Sequence, residues 1–542
     1  MIDNPLVPAN EIWYTSINGE PIELSDATQK NTVSNTYRDG KGVIVFKEPF
    51  VEIGVMSFKN CTGLQKVVIP SNVIEIGWYA FEGCTGLQEI VILEGVAKIG
   101  TCAFMGCISL HKVVIPSSVT EIDCGAFSGC NSLQEVVIPN GVKKIDEIAF
   151  RGCTSLHEVV IPSSVTEIGS GVFEGCSNLA KITVEEDNVI YDSREGCNAI
   201  ILKETNCLII SCRNTVIPSS VTRIIWAFSG RTDLQEIVIP EGVTIIGEEA
   251  FRDCTNLRKI VLPSSITEIG CDVFLGCTSL HKIVIPESVT SIGSSFSGCT
   301  GLQEVVISSS VTEIGDYAFS DCIDLREVVI PEGVTRIGFR AFDGCTGLRR
   351  IVIPSTITTI DEEAFEDCTS LCEVVISEGV RSIGFRAFGD CINLCEIVIP
   401  EGINIDGGAF ERCSSLEIVH LPAVMSIVSI LSPFSGCDNL KAIYVPLDKV
   451  DYYKEHFPSS MHWLIVEEGS DLPTKAENFI AKDITFAPTL RVIVPKGESD
   501  SYILSVAKEK LEKLGSRELV KWLIDHLESI TDSQKPYNEK DC

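Results

Sequence analysis

The chain has 542 residues, a net charge of −32, 45% apolar residues and 24 cysteines. A chain this acidic repels nucleic-acid phosphates and anionic membrane surfaces, so we expect no nucleic-acid partner. We also expect no membrane span, because no uncharged apolar run reaches about 18 residues, and residues 1–10 lack the basic and apolar regions of a signal peptide.

Residues 1–42 show no internal repeat and are predicted to form an N-terminal cap. Residues 12–14 and 22–24 are the predicted strands of this cap, because apolar and aromatic β-formers dominate both runs. Residues 43–46 are predicted to begin the first, shortened repeat.

A unit of 23 residues recurs from residue 43 to 184 and again from 214 to 446, anchored by a phenylalanine. In one unit, Val113 and Ile115 alternate like the buried face of a strand, and Pro116 ends that strand. Phe127 follows on a short helical turn, and Gly129 suits the left-handed residue at its end. A unit of this size cannot bury enough surface to fold alone, so the period predicts a solenoid of stacked units. The anchors are Phe58, Phe81, Phe104, Phe127, Phe150, Phe173, Phe228, Phe251, Phe274, Phe296, Phe319, Phe342, Phe365, Phe388, Phe410 and Phe434.

Fifteen cysteines occupy one position of the repeat, three residues after the anchor. We predict buried free thiols, because neighbouring rungs lie about 4.8 Å apart, whereas a disulfide needs Cβ atoms about 3.8 Å apart. A line of thiolates also cannot surround zinc, so no metal site is expected. This favours a reducing, cytoplasmic compartment.

The pattern L-x-x-V-x-I-P-x-x-V-x-x-I-G-x-x-A-F-x-G-C resembles the BspA-like leucine-rich repeats over residues 43–446, for example from Leu280 to Cys299. The resemblance implies a β-rich leucine-rich-repeat superhelix with parallel strands and short helical corners. It also implies protein binding, since members are often surface antigens or adhesins. A cell-surface or secreted location would then replace the cytoplasmic one.

The step from Phe173 to Phe228 is 55 residues, nine more than two repeats. Within this insertion, residues 185–213, two apolar runs separated by residues 203–206 predict a β-hairpin. The insertion also resembles one found in BspA-like proteins. Either it is a protruding contact element or it is a tolerated variant of one rung. The contact candidates are Asp187, Tyr191, Asp192 and Arg194.

After the repeats, residues 442–446 are the predicted last strand, and residues 447–498 are a predicted C-terminal cap. Residues 450–456 should form a short helix, with Tyr452, Tyr453 and Phe457 as its lid. Residues 499–542 are predicted to be a small α-helical tail with a polar, disordered end. One face of the helix after Gly515 either packs on the cap or docks a partner.

One outward-facing column of the first strand is almost entirely valine. Either it is a binding surface for a protein with a long apolar edge, or its stacked valines favour strand pairing. The neighbouring charged column, which includes Lys66 and Glu89, is interpreted as solvated. The binding-face candidates in the valine column are Val238, Val261, Val284, Val306, Val329, Val352 and Val375.

Cys372 and Cys395 share one outward position on consecutive rungs and are the candidate exposed thiols. No phosphate-binding loop, zinc-protease motif or nucleophile elbow occurs, so no catalytic residue and no cofactor are expected. The sequence therefore predicts a monomeric, non-catalytic protein that binds another protein through its strand face. The alternatives are a cell-surface adhesin and, from another class, an enzyme housed in the C-terminal region.

Overall fold

A computed structural model of the chain describes residues 7–423, 426–427 and 432–470, all within one compact unit, Met1–Lys475. They form a parallel β-solenoid of about 18 turns with about 23 residues per turn, as the repeat predicts. No helix among these residues is long and apolar enough to cross a membrane.

Each rung contributes one strand to each of two sheet faces. The longer strands form what we call the strand face, and stacked rungs keep the same register, with Arg350 beside Glu373 and Val352 beside Val375. Strand-face strands are Leu64–Ile69, Glu89–Ile92, Lys112–Val114, Glu135–Val137, Glu158–Ile161, Lys181–Val184, Glu236–Val238, Lys259–Val261, Lys282–Val284, Glu304–Val306, Glu327–Val328, Arg350–Ile353, Glu373–Ile376, Glu396–Val398, Ile418–His420 and Ala442–Val445.

The second face consists of two-residue strands in the same parallel register. Its isoleucines stack rung on rung, as Ile122 does between Ile99 and Ile145. These strands are Glu52–Ile53, Glu75–Ile76, Lys98–Ile99, Glu121–Ile122, Lys144–Ile145, Glu167–Ile168, Arg223–Ile224, Ile245–Ile246, Glu268–Ile269, Ser291–Ile292, Glu313–Ile314, Arg336–Ile337, Thr359–Ile360, Ser382–Ile383, Asn404–Ile405 and Ser426–Ile427.

The corners that carry the anchor phenylalanines add a third hydrogen-bond ladder. Backbone N–H groups donate alternately within the corner and to the next rung: Met105 donates to Cys102 at 3.1 Å, and Phe104 donates to Ala126 at 2.7 Å. The position of Gly129 has a positive φ in every repeat, including the non-glycine residues Asp253 at 55° and Arg412 at 57°. The predicted left-handed residue is therefore confirmed, and the backbone groups of each corner are satisfied by stacking.

The interior is a stack of phenylalanine rings and thiols. Phe342 and Phe365 lie parallel with centroids 5.2 Å apart, and the Cys345 thiol donates to the carbonyl of Phe319 at 3.1 Å. The predicted burial of the cysteine column is confirmed except at Cys61, which is half-buried. The core divides at the hairpin into two large clusters, one before it and one after it, and a small third cluster contains Val7, Val68 and Leu93.

At the N-terminus, strands Glu11–Ser16, Thr32–Arg38 and Lys41–Phe46 pair antiparallel, and helix Asp26–Asn31 precedes the second of them. The prediction that residues 43–46 begin the first repeat is wrong, because Asp39 and Gly40 both have positive φ and turn the chain into a hairpin. The predicted strand at residues 22–24 is also wrong. There Asn35 Nδ2 donates to the carbonyl of Ile22 at 2.8 Å, so a side chain replaces a strand partner.

At the other end, the predicted helix is confirmed as Val450–His456. Tyr453 and Phe457 are buried, and the Phe457 ring lies 6.3 Å from that of Phe434. Residues 442–446 are not the last strand: a 3₁₀ helix, Ser459–Leu464, leads to Ile465–Glu467, which pairs parallel with them. The predictions for residues 471–542, including the helical tail and most of the cap at 447–498, lie outside the described residues.

Candidate functional site

The seven candidate valines, here called the valine stripe, lie on consecutive rungs of the strand face. Their side chains point away from the core, because each lies between two residues that are buried or half-buried, as Val306 lies between the buried Val305 and Ile307. Six of the seven are exposed, from 39% at Val352 to 69% at Val238 and Val329, and Val375 is half-buried. The stripe is therefore one continuous apolar row that the fold leaves uncovered.

The charged column beside the stripe forms ion pairs between neighbouring rungs. Lys282 lies 2.6 Å from Glu304, and Arg350 lies 3.0 Å from Glu373. Side chains on the first of these pairs are about half exposed, so each such pair contributes little to stability. This arrangement agrees with the interpretation of a solvated column that reinforces the register.

A column of glutamates, which the sequence reasoning missed, lies beside the valine stripe on the loop side of the strand face. Each of these glutamates is three residues after a stripe valine. Its carboxylates occur on every second rung, and serines on the rungs between them lie close enough to donate: Ser309 Oγ is 3.3 Å from Glu287 and Ser355 Oγ is 3.4 Å from Glu332. The signal was present in the alternation of Pro-Glu or Ser-Glu with Pro-Ser or Ser-Ser at this position. We call this set the glutamate row: Glu241, Glu287, Glu332 and Glu378.

The hairpin consists of Ala199–Leu202 and Cys207–Ser211, paired antiparallel, with a short strand, Tyr191–Asp192, on one side and a 3₁₀ turn, Arg194–Gly196. The prediction of Tyr191 as a surface contact is wrong. The residue is 6% exposed, and its hydroxyl accepts a hydrogen bond from the Ile168 N–H at 3.2 Å. Asp192 is half-buried and pairs with Arg194 at 2.7 Å. Tyr191 and Asp192 therefore hold a variant rung in place through these contacts.

Beyond the hairpin, Arg231 occupies the position that cysteine fills in the other repeats. It is 7% exposed, donates to Asp233 at 2.7 and 2.8 Å and donates to Ser211 at 3.0 Å. Burial alone would raise the pKa of Asp233, but the hydrogen bonds and positive charge of Arg231 lower it below its usual value. The arginine therefore joins the first regular rung to the hairpin.

Cys372 and Cys395 are exposed, as predicted, and Cys271, which the sequence analysis did not select, is exposed too. In the buried cysteine column, burial raises the pKa of the Cys130 thiol to about 12. Burial also raises the pKa of Cys372 and Cys395. Among the described residues no group of three or more His, Cys, Asp or Glu side chains could hold a metal ion.

The sequence matches the family model described as BspA type Leucine rich repeat region (6 copies) over residues 51–180, 225–349 and 340–460. A leucine-rich repeat protein from Bacteroides ovatus is 27% identical, covers 81% of this chain and 90% of its own, and has a TM-score of 0.43. A leucine rich cell surface protein from Faecalibacterium prausnitzii is 32% identical, covers 64% and 86%, and has a TM-score of 0.39. A leucine-rich repeat protein from Eubacterium ventriosum is 23% identical, covers 64% and 89%, and has a TM-score of 0.40. No curated protein matches the chain.

Proposed function

This chain belongs to the BspA-type leucine-rich repeat family, and we propose that it is a non-catalytic protein that binds another protein through its strand face. The observation that carries the proposal is the valine stripe, with six side chains at least 39% exposed on consecutive rungs. Single exposed apolar residues are normal on protein surfaces, whereas continuous rows of them accompany interaction sites.

Burial of the stripe supplies a driving force of useful size. Complete burial of a valine side chain stabilises by about 1.5–3 kcal/mol, so covering six half-exposed valines gains several kcal/mol before the entropy of association. Stacked β-branched residues also favour strand pairing. That effect explains why valine is used at this position, but it does not require the row to remain uncovered.

The test is affinity capture of partners by the whole chain and by a triple variant, Val284→Lys, Val306→Lys and Val329→Lys. A matched variant, Val114→Lys, Val137→Lys and Val160→Lys, makes the same change in the repeats before the hairpin. We expect the first variant to lose partners that the wild type captures, with an unchanged circular dichroism melting curve. Partners retained by a correctly folded first variant would refute the valine stripe as the binding surface.

The family membership also favours a second candidate, the same binding carried out at a cell surface as an adhesin or antigen. Protease treatment of intact cells separates the two. Loss of the chain from intact cells supports the surface role, and protection until lysis supports binding inside the cell.

A further inference from the structure

The repeats after the hairpin carry negative charge along one side of the valine stripe. The glutamate row lies three residues beyond the stripe, so each carboxylate is within roughly 10 Å of a stripe valine along the chain. All four side chains are exposed. Among the described residues, no lysine, arginine or histidine forms an ion pair with these carboxylates, and serines on the next rung hold three of them.

The repeats before the hairpin provide an internal contrast. Their loop-side column is Glu94, Ser117, Asn140 and Ser163, so it contains one carboxylate where the glutamate row contains four. Their charged column is balanced, since its lysines pair with glutamates on neighbouring rungs. Valines are exposed there too, but without a row of carboxylates beside them.

Charge on the opposite side of the stripe is mixed after the hairpin. Arg258, Arg326 and Arg349 are exposed one residue before the charged column, and Lys282 and Arg350 pair with glutamates. The unbalanced negative charge is therefore confined to the loop side. A partner that follows this surface needs apolar side chains in one row and basic side chains along one flank.

The spacing selects a helix over an extended strand. Rungs repeat about every 4.8 Å and glutamates about every 9.6 Å, whereas same-face residues of an extended strand repeat about every 6.8 Å. A helix offers one apolar residue per turn of about 5.4 Å and one basic residue per two turns of about 10.8 Å. Six rung steps from Val238 to Val375 span about 29 Å, which is the length of a helix of about 19 residues.

Resting on the proposed function, we propose that the valine stripe and the glutamate row together bind a basic amphipathic helix of a partner protein. Its apolar row packs on the valines, and its lysines or arginines pair with the glutamate row.

The test measures binding of a synthetic helical peptide to the whole chain by fluorescence anisotropy. The peptide has about 20 residues, one row of leucines and lysines about every two turns on one flank. In the control peptide, glutamates replace the lysines. Two charge-matched variants of the chain are compared: Glu287→Gln with Glu332→Gln and Glu378→Gln, and Glu94→Gln with Glu135→Gln and Glu158→Gln.

We expect the first variant to weaken peptide binding at least about tenfold, the second to change it less than about twofold, and the control peptide to bind at least about a hundredfold more weakly. Equal weakening by both variants would reduce the effect to attraction by net charge and overturn the proposal. Absence of peptide binding would overturn it as well. If the valine variants still lose captured partners in either case, the proposed function stands and only the helical basic partner is wrong.

Discussion

From Phe251 to Phe410 each anchor phenylalanine ring lies between two others, as Phe342 does at 5.3 Å from Phe319 and 5.2 Å from Phe365. At the hairpin the stack is interrupted. Phe173 contacts only the ring of Phe150, at 5.7 Å, and Phe228 contacts only that of Phe251, at 4.9 Å, among the described rings. The cysteine next to Phe228 is replaced by a buried arginine.

The difference shows that the residue type at an interior position depends more on the neighbouring rungs than on the rung that contains it. Where one rung stacks directly on the next, a cysteine is enough to fill this position, and its thiol donates to a carbonyl. Where the hairpin takes the place of a rung, the side chain at the same position must be longer to find a partner. Arg231 extends to Ser211 and donates a hydrogen bond to it. The hairpin thereby separates two blocks whose cores are alike and whose strand faces differ in charge.

The largest expected effect comes from removing a ring inside the stack. Phe342→Ala should lower the free energy of unfolding by about 3–5 kcal/mol, because it leaves a cavity that two ring neighbours line. Phe173→Ala should lower it less, since one side of that ring has no ring partner. Chemical denaturation of both variants measures the difference, and equal losses would contradict the role assigned to stacking.

A similar loss is expected when the ion pair at the junction is broken. Arg231→Cys restores the repeat residue but leaves Asp233 half-buried without its partner, and should reduce stability by about 3 kcal/mol. Adding Asp233→Gly, which gives the residue found at Gly347 in a regular repeat, should recover most of the loss. If the double variant is no more stable than the single one, the arginine is not there to pair with this carboxylate.

Two carboxylates in the repeats after the hairpin should respond oppositely to pH. Burial raises the pKa of Glu366 to about 7, against an unfolded value of about 4.3. Its contribution to stability is therefore complete below the unfolded value and is lost as the pH rises through about 7. Glu366→Gln should flatten this decline in a series of melting temperatures from acidic to neutral pH, and an unchanged slope would show that Glu366 does not titrate in this range.

At the junction the sign is reversed, because the pKa of Asp233 is lowered in the folded chain. Its contribution is present above the unfolded value, about 3.9, and is lost as the pH falls through the folded value. Asp233→Asn should remove part of the acid destabilisation. The same acid midpoint in the variant and the wild type would argue against a strong pair with Arg231.

The smallest effect concerns reactivity rather than stability. Of the described cysteines, the exposed Cys271, Cys372 and Cys395 should react with a maleimide in the native chain, while the buried thiols react only as the chain unfolds. Mass spectrometry of peptides at increasing reaction times checks this order. Early modification of Cys345 would mean that the rungs open far more readily than a continuous stack allows.

The sequence predicted the interior well, since a period of 23 residues fixes which side chains stack. It failed where the period ends. Tyr191 was placed on the surface because nothing local shows which side of the hairpin meets the core. The Asp39-Gly40 turn was a readable hairpin signal that the run of β-formers at residues 43–46 outweighed.

Within the candidate site, the valine stripe could be read from the alternation of buried and outward positions. The glutamate row could be recognised in the sequence, but the hydrogen bonds of its carboxylates depend on serines one rung away. Arg231 could be noticed as the one anchor repeat without its cysteine, whereas its contact with Ser211 depends on how the hairpin folds back.

The most direct test of binding through the valine stripe and the glutamate row is carboxylate labelling of the whole chain. The chain is labelled free and with the basic helical peptide bound, and the labels are read by mass spectrometry. Protection confined to Glu241, Glu287, Glu332 and Glu378, with Glu94, Glu135 and Glu158 labelled as in the free chain, is the predicted result. Protection spread evenly over both blocks would contradict it.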